Sequence, residues 1–240
     1  MRRLDSRPAL EARPSQTVPR WAVWSAALPP FLLTGGWLVA DAVQLRSYSP
    51  VRQTVSVLAG QSAADRWIMT DALFLIGACY LLTALGLVSL SRPARVLLAI
   101  AGLCSIGIAL SPEPATGPSA AHLAWTGIGA TAMAIWPAFT GRRLPRCPLV
   151  LTAGWAAAAT AVFLALLGWV VIETQGGGAL GLAERLCSSA EVIWPFVVAM
   201  ALRRSPAGVA QDEWATARAR ASRLLVPMKP QAGRAHGACA

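Results

Sequence analysis

Ionisable side chains in or beside long apolar segments are the residues of this chain whose types could support chemistry. A charged group in a membrane span is costly, so its presence points to a partner or a function. Carboxyl and imidazole groups could exchange protons, and guanidinium groups could bind an anionic head group. The candidates for one outward-facing polar pocket are Asp41, Arg52, Asp71, His122, Arg185 and Glu191.

These candidates lie at different depths. Glu191 is about eight residues into the last apolar segment, which is about 12 Å at 1.5 Å per residue. At that depth simple hydration is difficult, and His122 or an arginine of an outer loop is the expected partner. Asp41 and Asp71 lie near segment ends, where the favoured explanation is a carboxylate at the membrane interface that caps a loop amide or pairs with Arg52 or Arg66. For His122 the simpler alternative is a residue at a helix start that is hydrogen-bonded to the outer loops.

Established catalytic and metal-binding motifs are absent from the sequence. A zinc site needs three or four His, Cys or acidic ligands, and the apolar region contains the single histidine His122. HExxH, CxxC, GxSxG and Walker motifs do not occur. No metal or cofactor is therefore predicted, and these motifs identify no catalytic residue.

The elements that must position the candidates are six long apolar segments. The chain is 55% hydrophobic and only 13% charged, against about 25% charged residues in soluble domains. A helix needs about 20 mainly apolar residues to cross a membrane, and the third segment is the shortest. The sequence predicts an all-α bundle of six transmembrane helices, at Trp21–Leu45, Trp67–Leu90, Ala94–Leu110, Ala120–Phe139, Leu149–Ile172 and Ala183–Leu202.

The basic residues predict the orientation of these segments. With the N-terminus placed in the cytoplasm, the 21 Lys and Arg residues all fall on the inner side except Arg46, Arg52, Arg66 and Arg185. Because cytoplasmic loops carry such an excess, both termini are predicted to be cytoplasmic. The net charge of +10 is therefore a topology signal that also attracts anionic inner-leaflet lipid, and nucleic acid is not a predicted partner.

The terminal segments differ from the membrane domain, which is predicted to cover residues 21–204. Residues 1–20 are rich in Arg and Pro and are predicted to be a disordered tail. Residues 205–240 form a second basic tail, which is either a frayed charged segment or contains a short interfacial helix. The dominance of Arg over Lys, together with the Ala content, indicates a GC-rich bacterial genome, so the predicted location is a bacterial inner membrane.

Local signals predict packing and bends. Small residues at every fourth position let helices approach closely, and this pattern occurs at Ala101, Ser105 and Ala109 and again at Ala153, Ala157, Ala161 and Ala165. Pro137 and Pro195 are predicted to bend their helices. The segment Arg46–Arg66 is predicted to be an ordered re-entrant or surface segment on the bundle.

Two stretches carry a resemblance to a known family. Tyr48-Ser49-Pro50-Val51-Arg52-Gln53-Thr54-Val55-Ser56-Val57-Leu58 follows the first span, and Asp65-Arg66-Trp67-Ile68-Met69-Thr70 leads into the second. With His122 and Glu184-Arg185, they resemble the bacterial multi-pass family called domain of unknown function 998, over roughly residues 20–204. The resemblance implies a six-helix membrane protein and implies no substrate, cofactor or catalytic residue.

Three functional hypotheses follow from the sequence. The first is a membrane protein that binds or transports a lipid or small molecule through the polar pocket, where Arg52 and Arg185 hold an anionic head group. The second is an intramembrane lipid-modifying enzyme that uses His122 as a base. The third is a non-catalytic scaffold whose polar residues only fix the register of the helices.

Overall fold

The computed structural model describes residues 18–45, 48–116, 119–141 and 147–204. In this part of the chain the regular elements are α-helices and short 3₁₀-helices, joined by loops. Helix α1 covers Arg20–Ala42, the short α2 covers Val55–Leu58, and α3 covers Trp67–Gly86. Helix α4 covers Arg92–Leu110 and α5 covers Ala120–Ile135. Helix α6 covers Ala153–Glu173 and α7 covers Leu180–Arg204. The all-α prediction is confirmed, and the two predicted tails fall almost entirely outside the described residues.

Each predicted apolar segment is occupied by one long helix, because a helix satisfies its backbone hydrogen bonds internally and can therefore exist in lipid. Five of these helices, α1, α3, α4, α6 and α7, are long and apolar enough to cross a membrane. Large apolar side chains cover their outer surface, including Trp24 and Phe31 on α1. This surface suits a hydrocarbon environment and defines a membrane protein with several apolar helices.

Proline acts differently in the two helices where a bend was predicted. Helix α5 ends at Ile135, and the chain continues as a 3₁₀ turn over Trp136–Phe139 that contains Pro137. Helix α7 continues through Pro195. Helix α1 also continues through a proline pair, Pro29 and Pro30, which the sequence analysis did not single out.

The six long helices form a closed ring. Each helix packs against the next long helix along the chain, and α7 returns to pack against α1. Because successive long helices run in opposite directions, the connections between them lie alternately at two ends. We call the end with residues 43–45, 48–66, 111–116 and 174–179 the distal end, and the end where α1 begins and α7 finishes the proximal end. Helix α2 lies at the distal end, in contact with α1, α3 and α7.

Small residues produce the closest helix contacts. A Cβ atom added at Gly77 of α3 would lie only 2.6 Å from Cγ1 of Ile106 in α4. Polar pairs reinforce these contacts: the hydroxyls of Ser25 and Thr83 are 2.9 Å apart, and Ser105 donates to the Leu73 carbonyl at 2.7 Å. These hydrogen bonds join α1 to α3 and α3 to α4, which fixes the register of neighbouring helices.

The two predicted small-residue faces have different outcomes. Ala101, Ser105 and Ala109 are all buried, as expected for a packing face. On α6 the expectation is wrong, because Ala157, Ala161 and Ala165 are exposed. Helix α6 instead packs through Ala156, Ala159 and Phe163. It is apolar on all sides, so its sequence does not distinguish the face toward the protein from the face toward lipid.

Candidate functional site

The N-terminal turn of α7 holds the loop that follows α1. The Arg185 guanidinium is 8% exposed, and its Nη1 donates to the carbonyls of Pro50 at 2.8 Å and Gln53 at 2.9 Å. The same nitrogen donates to the Gly181 carbonyl one turn earlier in α7, at 2.9 Å. We call this contact between residues 48–55 and 181–185 the loop clasp.

Two neighbours of Arg185 complete the loop clasp. The Glu184 carboxylate accepts a hydrogen bond from the Val55 backbone N–H at 2.6 Å. The Leu182 backbone N–H donates to the Val51 carbonyl at 3.0 Å. Backbone N–H groups in the first turn of a helix have no partner within the helix, so this contact satisfies a group that would otherwise be unpaired.

Tyr48 closes the other side of the loop clasp. Its hydroxyl is positioned to donate to the carbonyl of Thr54 at 2.8 Å or of Gln53 at 3.1 Å, and it accepts a hydrogen bond from Nη2 of Arg185. Burial raises the pKa of Tyr48, while the hydrogen bond from Arg185 acts in the opposite direction. The guanidinium also lies over the ring of Trp37, 5.0 Å from its centroid. Burial outweighs the two opposing effects of Arg185, its hydrogen bond and its charge, so the pKa of Tyr48 is raised overall.

Gly181 explains how the loop approaches α7 so closely. A Cβ atom at this position would lie 2.6 Å from the Pro50 carbonyl oxygen and would also overlap the carbonyl of Gln53. Only a residue without a side chain leaves room for the two carbonyls that Arg185 binds.

His122 belongs to a second distal contact. Its ring is almost fully buried, and Nδ1 donates to the Ser111 carbonyl at 2.8 Å. Nε2 lies 3.6 Å from Oε1 of Glu113, while the Glu113 carbonyl accepts a hydrogen bond from the Gln61 backbone at 2.8 Å. Both ring nitrogens therefore face residues of the loop between α4 and α5. That loop is in turn hydrogen-bonded to the loop between α2 and α3 through Glu113 and Gln61.

Glu191 lies apart from both distal contacts, inside the ring. Its side chain is buried, with 6% exposed, and its hydrogen-bond partner is the Cys187 thiol, with Sγ and Oε1 3.6 Å apart. The buried Tyr80 of α3 lies within electrostatic range of the carboxyl. Among the residues that the structure describes, the Tyr80 hydroxyl has no hydrogen-bond partner, and neither has the indole N–H of Trp194, three residues further along α7.

The six predicted pocket residues are thus distributed over several places. Asp41 is half-buried and within electrostatic range of Tyr48, so it lies near the loop clasp with Arg185. His122 is in the second distal contact. Arg52 and Asp71 are exposed. For Glu191 the expected partner was His122 or an arginine of an outer loop, whereas the observed hydrogen-bond partner is Cys187 on the same helix.

Several residues of these contacts were not singled out as site candidates. Tyr48, Gln53 and Glu184 lie in the stretches that carry the family resemblance, which is the signal that could have identified them. Tyr80 and Cys187 gave no signal, since a tyrosine or a cysteine in an apolar helix is ordinarily a core residue. Their closeness to Glu191 depends on how α3 and α7 sit in the ring.

The fold and its buried polar contacts define an all-helical membrane protein. Residues 26–201 match the family described as "Protein of unknown function (DUF998)", and the chain belongs to this family. The resemblance noted in the sequence is thereby confirmed. No curated protein matches the chain, and no solved structure does. One of the two stretches that carry the resemblance, residues 48–58, meets Glu184-Arg185, which also belong to it, in the loop clasp.

Proposed function

We propose that this protein is a six-span bacterial plasma-membrane protein that binds or moves a small molecule through the interior of its helix ring. In this proposal Glu191 is the binding carboxyl, and the ligand enters from the distal end, which faces outward. The first part concerns topology, and the second concerns the site.

The sixth span is α5 together with the 3₁₀ turn after it. Sixteen residues of α-helix give about 24 Å at 1.5 Å per residue. Four residues of 3₁₀-helix add about 8 Å at 2.0 Å per residue. The sum, about 32 Å, matches a hydrocarbon core of about 30 Å.

The orientation follows from where arginines meet the helix ends. Arg20, Arg92, Arg203 and Arg204 all lie at the proximal ends of their helices. Positively charged flanks are retained in the cytoplasm during insertion. This supports a cytoplasmic proximal end, with both termini on that side, and an outward-facing distal end.

The observation that carries the binding proposal is the buried Glu191 carboxyl. Among the described residues no Arg, Lys or His forms an ion pair with it. A carboxyl in such surroundings needs a proton or a bound cation to offset the cost of burial. A buried carboxyl that is retained at this cost is therefore a candidate functional group. The Tyr80 hydroxyl and the Trp194 indole N–H add two further buried polar groups without a partner among the described residues.

The other candidates fit a structural role better. Both terminal nitrogens of Arg185 already donate to oxygens of the protein, so an anionic head group would have to displace the loop. Nδ1 of His122 donates to the Ser111 carbonyl and Nε2 lies 3.6 Å from Oε1 of Glu113, so both ring nitrogens face the loop after α4. The anion-binding and lipid-modifying hypotheses therefore have less support than a site at Glu191.

Dicyclohexylcarbodiimide, a small apolar reagent that modifies protonated carboxyls, tests the site. Purified protein in detergent is treated with the reagent, and the adducts are located by peptide mass spectrometry. We expect an adduct at Glu191 that is lost in Glu191→Gln and retained in Asp71→Asn, the matched control at an exposed carboxyl. An unmodified Glu191 in folded wild-type protein would mean that the interior is closed to small molecules, and the scaffold hypothesis would replace the proposal.

A further inference from the structure

We propose that the ligand bound at Glu191 is a small organic cation, of the quaternary-ammonium or alkylamine class. This inference rests on the proposed function and specifies the chemistry of the molecule that the interior accepts. Charge, hydrogen bonding and aromatic surroundings each contribute to it.

The charge of the site comes first. Arg185 and Glu191 are both buried on α7, and they lie about 9 Å apart along the helix axis, six residues at 1.5 Å each. Arg185 is surrounded by carbonyl oxygens and a phenol, all of which belong to the loop clasp or to α7 itself. Glu191 has a thiol as its hydrogen-bond partner. In surroundings of low polarity, an acid without a basic partner attracts a cation and repels an anion.

The hydrogen-bonding groups near Glu191 are suited to a carboxylate. The Tyr80 hydroxyl and the Trp194 indole N–H are neutral donors without a partner in the described chain. Neutral donors stabilise a carboxylate when its proton leaves, but they do not cancel its charge. The negative charge is then available to a ligand, whereas a lysine or arginine in the same place would neutralise it.

The aromatic rings near the site are suited to an apolar cation. Trp194 packs edge-on against Phe163 of α6, with ring centroids 6.0 Å apart and planes at 85°. Tyr80 of α3 lies within electrostatic range of Glu191, and Trp194 lies three residues along α7 on a neighbouring position of the same helix face, so aromatic residues of two helices lie near the carboxyl. Aromatic faces attract cations, and quaternary ammonium groups in particular are bound by aromatic residues. A metal ion would need several ligands, and the described residues contain no group of three His, Cys, Asp or Glu side chains that could hold one.

Protection of Glu191 from dicyclohexylcarbodiimide tests the inference. Labelling is measured with increasing tetramethylammonium and, separately, with trimethylacetate, an anion of similar size. We expect tetramethylammonium to slow labelling by the factor 1 + [L]/Kd, about elevenfold at ten times the Kd. Trimethylacetate should leave the rate unchanged. Removing only the hydroxyl with Tyr80→Phe should raise the concentration needed for half protection by about two- to tenfold.

The outcomes separate the inference from the proposed function. Labelling that neither ion slows, or that trimethylacetate slows, overturns the cation inference while an accessible site at Glu191 stands. A lack of labelling in the absence of any added ion overturns both. Size-exclusion chromatography of each variant shows whether it is folded, and Tyr80→Phe keeps the test available if Glu191→Gln does not fold.

Discussion

Replacing Arg185 with alanine should release the loop clasp. The substitution removes three hydrogen bonds between α7 and the loop, to the carbonyls of Pro50 and Gln53 and to the hydroxyl of Tyr48. A hydrogen bond from a charged donor contributes about 1.5–3 kcal/mol, so the two bonds to carbonyls by themselves account for a loss of about 3–6 kcal/mol. The Gly181 carbonyl is left out of this sum because it belongs to the same helix as Arg185.

Trypsin cleavage after Arg52, a residue of this loop, measures the release of the loop from α7. Arg52 is exposed, and trypsin can cut after it once the loop leaves α7. When opening and closing are faster than cleavage, the cleavage rate follows the population of the open form. A loss of about 3 kcal/mol corresponds to a rise of about a hundredfold in that population. The peptide bond after Arg52 should therefore be cut about a hundred times faster in Arg185→Ala than in wild type, as measured by mass spectrometry of timed digests.

Arg66→Ala is the matched control for Arg185→Ala. Arg66 is also an arginine beside an aromatic ring, with its guanidinium carbon 4.2 Å from the centroid of Trp67. Such a contact contributes about 0.5–1 kcal/mol at a partly exposed site. Cleavage after Arg52 should rise no more than about fivefold in this variant. Equal cleavage rates in Arg185→Ala and wild type would refute the role given to the guanidinium.

Two further predictions concern the loop and the helix packing. Because burial raises the pKa of Tyr48 above 10.0, its contribution to stability should be complete below pH 10 and decline as the pH rises through the raised pKa. Melting temperatures between pH 8 and 11 should show this alkaline decline in wild type, and an equal decline in Tyr48→Phe would contradict it. Gly77→Ala should cost about 1–3 kcal/mol, because its Cβ would overlap Ile106. Gly127→Ala, where a Cβ meets no atom within 4 Å, should melt at or above the wild-type temperature, and equal melting of the two alanine variants would count against the packing described.

The sequence alone was sufficient to locate the long helices. Each predicted segment contains one helix, and most ends agree within a few residues, because a span must be both apolar and about 20 residues long. The ordered surface segment after α1 was also predicted, as α2 and the loop clasp show. The break in α5 at Trp136 follows from Pro137, which has no backbone N–H to donate.

The tertiary structure decided which side chains meet. Arg185 was predicted to bind an external anion, yet it binds carbonyls from a loop more than 130 residues earlier in the chain. The exposed alanines of α6 show the same difficulty, because an all-apolar helix carries no periodicity that marks its packed face. Hydropathy records how much a residue prefers lipid to water, and it contains no information on which helix lies beside which. The closeness of Tyr80 to Glu191 became visible only when α3 and α7 were placed in one ring.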